Sequence, residues 1–143
     1  DGIFFDDVKA KAHGLSNVLL TGWLSNPEIG YILSISHAGI VPCTNLTDAI
    51  PNKVFTYLSA GLPIISSLQG ELKELIEKYQ IGFYYPPNDV DALVNCIKKL
   101  YEDKELYTKM SANAKNIFDE MFDADKIYTE YAEHIERIAM SNE

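Results

Sequence analysis

The 143 residues predict an α/β fold, a Rossmann-like parallel sheet with helices on both faces and further helices packed at its C-terminal end. Three observations carry that prediction. Short apolar runs alternate with amphipathic segments, and strands joined through helices run parallel. The runs are apolar almost throughout rather than at every second position, which marks strands covered on both faces. Proline and glycine punctuate the helical segments between them, proline at the starts and glycine at the ends.

Each element follows in order. "NVLLTGW" (17–23) reads as a short buried strand ended by glycine, and "NPEIGYILSIS" (26–36) as a helix with Asn26 as N-cap, Pro27 at the first helical position and Glu28 in the first turn. "AGIVP" (38–42) is a second strand. "PNKVFTYLSAG" (51–61) is a helix opened by Pro51 and closed by Gly61. "LPII" (62–65) is a third strand, "GELKELIEKYQ" (70–80) a helix and "IGFYY" (81–85) a fourth strand. After "PPND", residues 89–103 carry Asp89 as N-cap and Val90, Leu93, Val94, Ile97 and Leu100 at helical spacing. Residues 104–122 and 123–140 are two more helices with no strand between them. Crossovers in such a sheet are right-handed, and ligands bind beyond the carboxyl ends of the strands. That places a site on the loops after Thr21, Pro42, Ile65 and Tyr85.

Bulk properties narrow the function. One domain over residues 1–143 is expected from the length. The net charge of −9 argues against a nucleic-acid backbone as partner, since that needs a basic face. Residues 1–70 hold 5 acids and 3 bases, and residues 71–143 hold 16 and 9, so the first half suits an anionic ligand better. Cys43 and Cys96 have no metal-binding spacing and read as free thiols in a reducing cytoplasm. No apolar run approaches the ~18 residues of a membrane span, and no signal peptide is visible. The abrupt start at "DGIFF" reads as the middle of a longer protein. His13, His37 and His134 fit exposed or capping positions, and the tyrosines Tyr84, Tyr85, Tyr101, Tyr107, Tyr128 and Tyr131 fit core edges and helix packing. Asp6 and Asp7 fit a solvated helix start, and no Asp-x-Asp metal motif occurs in the loops, so no metal or cofactor is expected.

The stretch "AIPNKVFTYLSAGLPII" (49–65) carries the most chemistry. A helix N-terminus offers unpaired backbone N–H groups and about half a positive charge. Proline has no N–H, so Asn52, Lys53 and Val54 supply the donors, and Lys53 adds a full charge. Diphosphate suits that combination. Thr56, one turn in, either bonds back to an upstream carbonyl or meets a ligand across the helix start. Asp48, in the loop 43–50, either forms an Asx turn or cap or contacts a hydroxylated ligand.

The order "NVLLTGWLSNPEI … HAGIVPC … DAIPNKVFTYLSAGLPIISS … IGFYYPPNDVDAL" resembles the C-terminal, donor-binding domain of family-four retaining glycosyltransferases of GT-B architecture, in the subgroup that builds bacterial surface polysaccharides. The resemblance runs from about residue 2 to residue 138. It implies half of a GT-B fold, with a nucleotide-sugar donor, a glycan or lipid-linked acceptor held by an N-terminal domain, and no metal at the diphosphate. It implies that Asn52, Lys53 and Val54 face the diphosphate and that Trp23 and Leu24 contact the base, with plain packing the alternative for Trp23. The family's two signature glutamates fall on Asp48 and Thr56. Asp48 keeps the carboxylate that positions the donor, whereas Thr56 offers one hydroxyl where a carboxylate grips the ribose. The same resemblance places the first strand and a diphosphate-clamping arginine and lysine ahead of Asp1, so residues 1–143 alone are not expected to transfer sugar. The full-length protein is expected in the cytoplasm, in peripheral association with the inner face of the membrane. Two other readings stand beside this one. One is a degenerate scaffold or partner subunit of a transferase complex, and the other an unrelated flavodoxin-like module.

Overall fold

The computed structural model describes residues 2–43 and 49–140. The chain groups into two compact units, residues 1–35 and 36–143.

The first unit contains helix α1 (Phe5–Ala12) and helix α2 (Asn26–Ile35). Asp6 and Asp7 lie in the first turn of α1, exposed to solvent. The cap of α2 is Ser25 rather than Asn26, because the Ser25 carbonyl accepts the first helical bond from Ile29 N–H at 2.9 Å. Ser25 N–H and Ser25 Oγ both donate to Glu28 Oε2, at 2.8 and 2.6 Å. A glutamate that reaches back to the N-cap N–H three residues earlier is the glutamate half of a capping box. Residues 17–23, expected as a strand, are not one: Leu19 is 82% exposed, and the run joins no sheet among the described residues. Apolar composition makes a strand only where a partner supplies ladder hydrogen bonds.

The second unit holds the sheet. Strands β1 (Gly39–Val41), β2 (Ile64–Ser66) and β3 (Gly82–Tyr84) alternate with helices α3 (Asn52–Ser59) and α4 (Glu71–Tyr79). The sheet has the order β1-β2-β3 with both pairs parallel, Ile65 lying level with Ile40 and Phe83. Helices α5 (Val90–Glu102), α6 (Lys104–Ile117) and α7 (Ala124–Met140) follow, with a π-helical stretch Phe118–Phe122 before α7. Asp89 and Asp103 cap α5 and α6, each side chain accepting a backbone N–H at 2.8 Å. Both caps satisfy a donor that the helix start leaves orphaned.

Successive residues of β2 face opposite layers, which is how a strand covered on both sides works. Ile64 packs with Val54, Leu58, Leu72, Ile76 and Ala114 on one side, so α3, α4 and α6 build that layer. Ile65 packs with Cys96, Leu100 and Met110 on the other, the layer of α5 and α6. Burial pushes the Cys96 thiol above its ordinary range, the nearby Lys99 charge working weakly against that. Helix α7 buries none of its residues, and Tyr128 and Tyr131 are exposed on it, as Tyr101 is on α5. Those three tyrosines do not pack as expected, whereas Tyr85 is buried.

Candidate functional site

The carboxyl ends of the three strands and the starts of the helices that follow them share one edge, as parallel βα units require. Three helix N-termini lie there, and their first turns differ in charge. Helix α4 begins with Glu71 and Glu74, and α5 carries Asp91. Helix α3 has no acid in its first turn and has Lys53 instead. An anion at the first two would meet a carboxylate, while at α3 it meets an ammonium and the positive end of the helix dipole.

Pro51 sets this start. It stands at the N-cap position with extended backbone, φ −64° and ψ 140°, and contributes no side-chain cap. The N–H groups of the first turn therefore receive no side-chain acceptor from it. One of the three expected donors is spent: Val54 N–H donates to the Pro51 carbonyl at 2.9 Å, and Val54 is fully buried in the core. Asn52 and Lys53 are exposed. The described ion pairs are Lys73 with Glu77 and Lys115 with Asp119, and Lys53 belongs to neither.

Thr56 lies on the exposed side of α3, opposite the buried pair Val54 and Leu58. Its carbonyl accepts the Ser59 hydroxyl at 2.8 Å. Among the described residues its own hydroxyl makes no bond to an upstream carbonyl, so the local reading of this threonine has no support. Asp48 lies outside the described residues. Trp23 and Leu24 belong to the first unit, Trp23 84% exposed and Leu24 half-buried. The packing reading of Trp23 finds no support at that exposure.

The sequence did not single out a pair of buried hydroxyls at the same edge. Ser66 Oγ donates to the Val41 carbonyl and accepts from Leu68 N–H, both at 3.0 Å. Ser67 Oγ accepts from Cys43 N–H at 2.8 Å and donates to the Cys43 carbonyl at 2.9 Å. The available signal was two serines directly after an apolar strand, where buried polar groups need partners. A cavity of about 610 Å³ lies elsewhere, at the amino ends of the strands between His37, Ile40, Ile65, Ile97 and Tyr107. Its lining is mostly apolar and includes no carboxylate. His37 sits there exposed, its ring 6.0 Å from that of Tyr107. Among the described residues no cluster of three or more histidines, cysteines or carboxylates has metal-binding geometry, and no helix is long and apolar enough to cross a membrane.

Residues 7–117 match the family model described as glycosyl transferases group 1. The chain is similar to the O-antigen chain mannosyltransferase C of Escherichia coli, 33% identical over 125 residues, covering 86% of this chain and 33% of that protein. It is also similar to the UDP-Gal:alpha-D-GlcNAc-diphosphoundecaprenol alpha-1,3-galactosyltransferase of Escherichia coli, 31% identical over 121 residues, covering 81% of this chain and 30% of that one. Its fold is shared with sucrose-phosphate synthase from Thermosynechococcus elongatus, with a TM-score of 0.79 at 17% identity over 96% of this chain and 34% of that chain. The α/β architecture is thus similar to that of GT-B glycosyltransferases, and the chain spans about a third of the length of the curated relatives it matches.

Proposed function

The chain belongs to the glycosyl transferases group 1 family, and from that membership we propose that residues 1–143 are the nucleotide-sugar-binding domain of a family-four retaining glycosyltransferase. The full-length protein, in this reading, moves a sugar from a nucleoside diphosphate to a glycan or lipid-linked acceptor held by its other domain. The observation that carries the reading is the start of α3, the carboxyl-edge helix whose first turn is cationic and free of acids. The diphosphate lies against the Asn52 and Lys53 amides and the Lys53 ammonium. As the bond to the sugar breaks, negative charge grows on the departing diphosphate. Donors fixed beforehand stabilise that charge more than they stabilise the intact donor, which lowers the barrier. Asp48 orients the sugar, Thr56 meets the ribose, and Trp23 and Leu24 meet the base. Lysine and backbone do the work that a metal does elsewhere, so no metal or cofactor is assigned. Residues 1–143 alone do not transfer sugar in this reading, because the acceptor side lies in the other domain. A lipid-linked acceptor of the kind named for the galactosyltransferase relative draws the protein to the inner face of the membrane from the cytoplasm.

The test is Lys53→Ala in the full-length protein, with UDP and GDP titrated by calorimetry. Removing a charge-assisted contact of about 1.5–3 kcal/mol weakens binding about ten- to hundredfold. Unchanged affinity for the nucleoside diphosphate that binds the wild type overturns the assignment.

Thr56 favours a second reading, a non-catalytic partner subunit of another transferase. One hydroxyl offers less to a ribose than the two oxygens of a carboxylate. Absence of binding heat with either nucleoside diphosphate, together with co-purification of an active transferase, supports that subunit. Turnover by the full-length protein removes it.

A further inference from the structure

The strands β1 and β2 separate at their carboxyl ends, and a side chain holds them where the backbone ladder gives out. The last ladder bond runs from Ser67 N–H to the Val41 carbonyl at 3.3 Å. In a continuing parallel ladder the next donor is Cys43 N–H and the next acceptor the Ser67 carbonyl. Here Cys43 N–H donates to the Ser67 hydroxyl at 2.8 Å, and the same hydroxyl donates to the Cys43 carbonyl at 2.9 Å. Both polar groups of one backbone residue are held by one side chain 24 positions away. Ser67 is 3% exposed, so the hydroxyl works out of reach of competing water. Cys43 lies two residues past the end of β1, and Cys43 and Ile50 both pack against the core cluster that contains Val54 and Leu58 of α3.

We propose that Ser67 is a positioning residue for the diphosphate site: its hydroxyl fixes the backbone at Cys43 and, through the packing of Cys43 on the core that also holds Val54 and Leu58 of α3, sets where the Asn52 and Lys53 donors stand. This rests on the donor-site reading above. Ser67 touches no substrate. It acts on the Cys43 backbone, as an alcohol able to accept one N–H and donate one O–H at once, which no apolar side chain and no thiol does equally well.

The test uses the full-length protein and two substitutions of nearly equal volume, Ser67→Thr and Ser67→Val. Both add the same bulk to a buried site, so steric cost is common to them and only the hydroxyl differs. Circular dichroism confirms that each is folded. UDP and GDP are titrated by calorimetry, and amide hydrogen exchange is followed at Cys43. Expected is a loss of nucleoside diphosphate affinity of about fivefold or more in Ser67→Val relative to Ser67→Thr, with faster exchange at Cys43 in the valine variant alone. Equal affinities in the two variants, or equal protection of Cys43, overturn the proposal. Lys53→Ala run in parallel separates the two ideas. If it weakens binding while the threonine and valine variants match, the site stands and the role of Ser67 falls. If it leaves binding unchanged, the donor site falls and the positioning role falls with it.

Discussion

Residues 62–68, "LPIISSL", and residues 17–23, "NVLLTGW", are apolar runs of equal length with opposite fates. Every residue of the first is buried, with Ile64 and Ile65 at 0% exposure, and its centre is the middle strand of the sheet. The second forms no strand, and Leu19 and Trp23 are more than four-fifths exposed. Hydrophobicity does not separate them. What separates them is company: β2 has a parallel neighbour on each edge and a helical layer on each face. A strand is a relation between segments, and composition reports on one segment only.

The contrast is sharpest in a truncation at matched chemistry. Ile64→Ala, which leaves a cavity between β2 and the α3–α4 layer, is expected to cost about 2–5 kcal/mol in urea unfolding. Leu19→Ala is expected to cost no more than about 0.5 kcal/mol, as exposed positions do. A loss of several kcal/mol at Leu19 breaks the comparison and makes residues 17–23 a buried element of the protein. The next largest effect tests how closely β2 is approached. Gly82 has φ +154°, and a Cβ there would lie 1.8 Å from the Ile64 carbonyl oxygen. Gly82→Ala therefore sets backbone against backbone and is expected to cost about 2–3 kcal/mol by the same measurement. Stability equal to wild type rejects that close approach. The smallest effect belongs to the first unit, where α2 is held by a local device. The Glu28 carboxyl is kept below its ordinary value of 4.5, first by the Ser25 hydroxyl and then by the Ser25 N–H, against a minor cost of burial. A depressed carboxylate contributes above its unfolded value and loses that contribution as pH falls through the folded one. The capping box is therefore intact at neutral pH and opens below pH 4.5. The Ser25 amide resonance followed by NMR should shift in that acid window, and Glu28→Ala should abolish the shift. A Ser25 amide indifferent to acid rejects the box.

Much of the helix grammar was legible. Asp89 stands where it was expected as a cap, Gly61 follows α3, and three of the four expected strands form in parallel. The candidate site was legible in outline, since Pro51 and Lys53 mark a cationic helix start after a strand. Its detail was not. Val54 was expected as a donor, but its N–H turns back to Pro51. Ser67 was passed over, although it holds Cys43 at both backbone groups.

The division follows the range of the forces. The sequence by itself determined the parallel α/β class, the Asp89 cap of α5, the close of α3 before Gly61 and the cationic start of α3. Caps, proline geometry and helical periodicity act within about four residues, so the chain declares them locally. Tertiary structure alone decided which apolar run became a strand and which backbone donor was spent. It also decided which serine took the place of a ladder bond. Those outcomes depend on partners such as Cys43 and Ser67, 24 residues apart, that meet only once the sheet has formed.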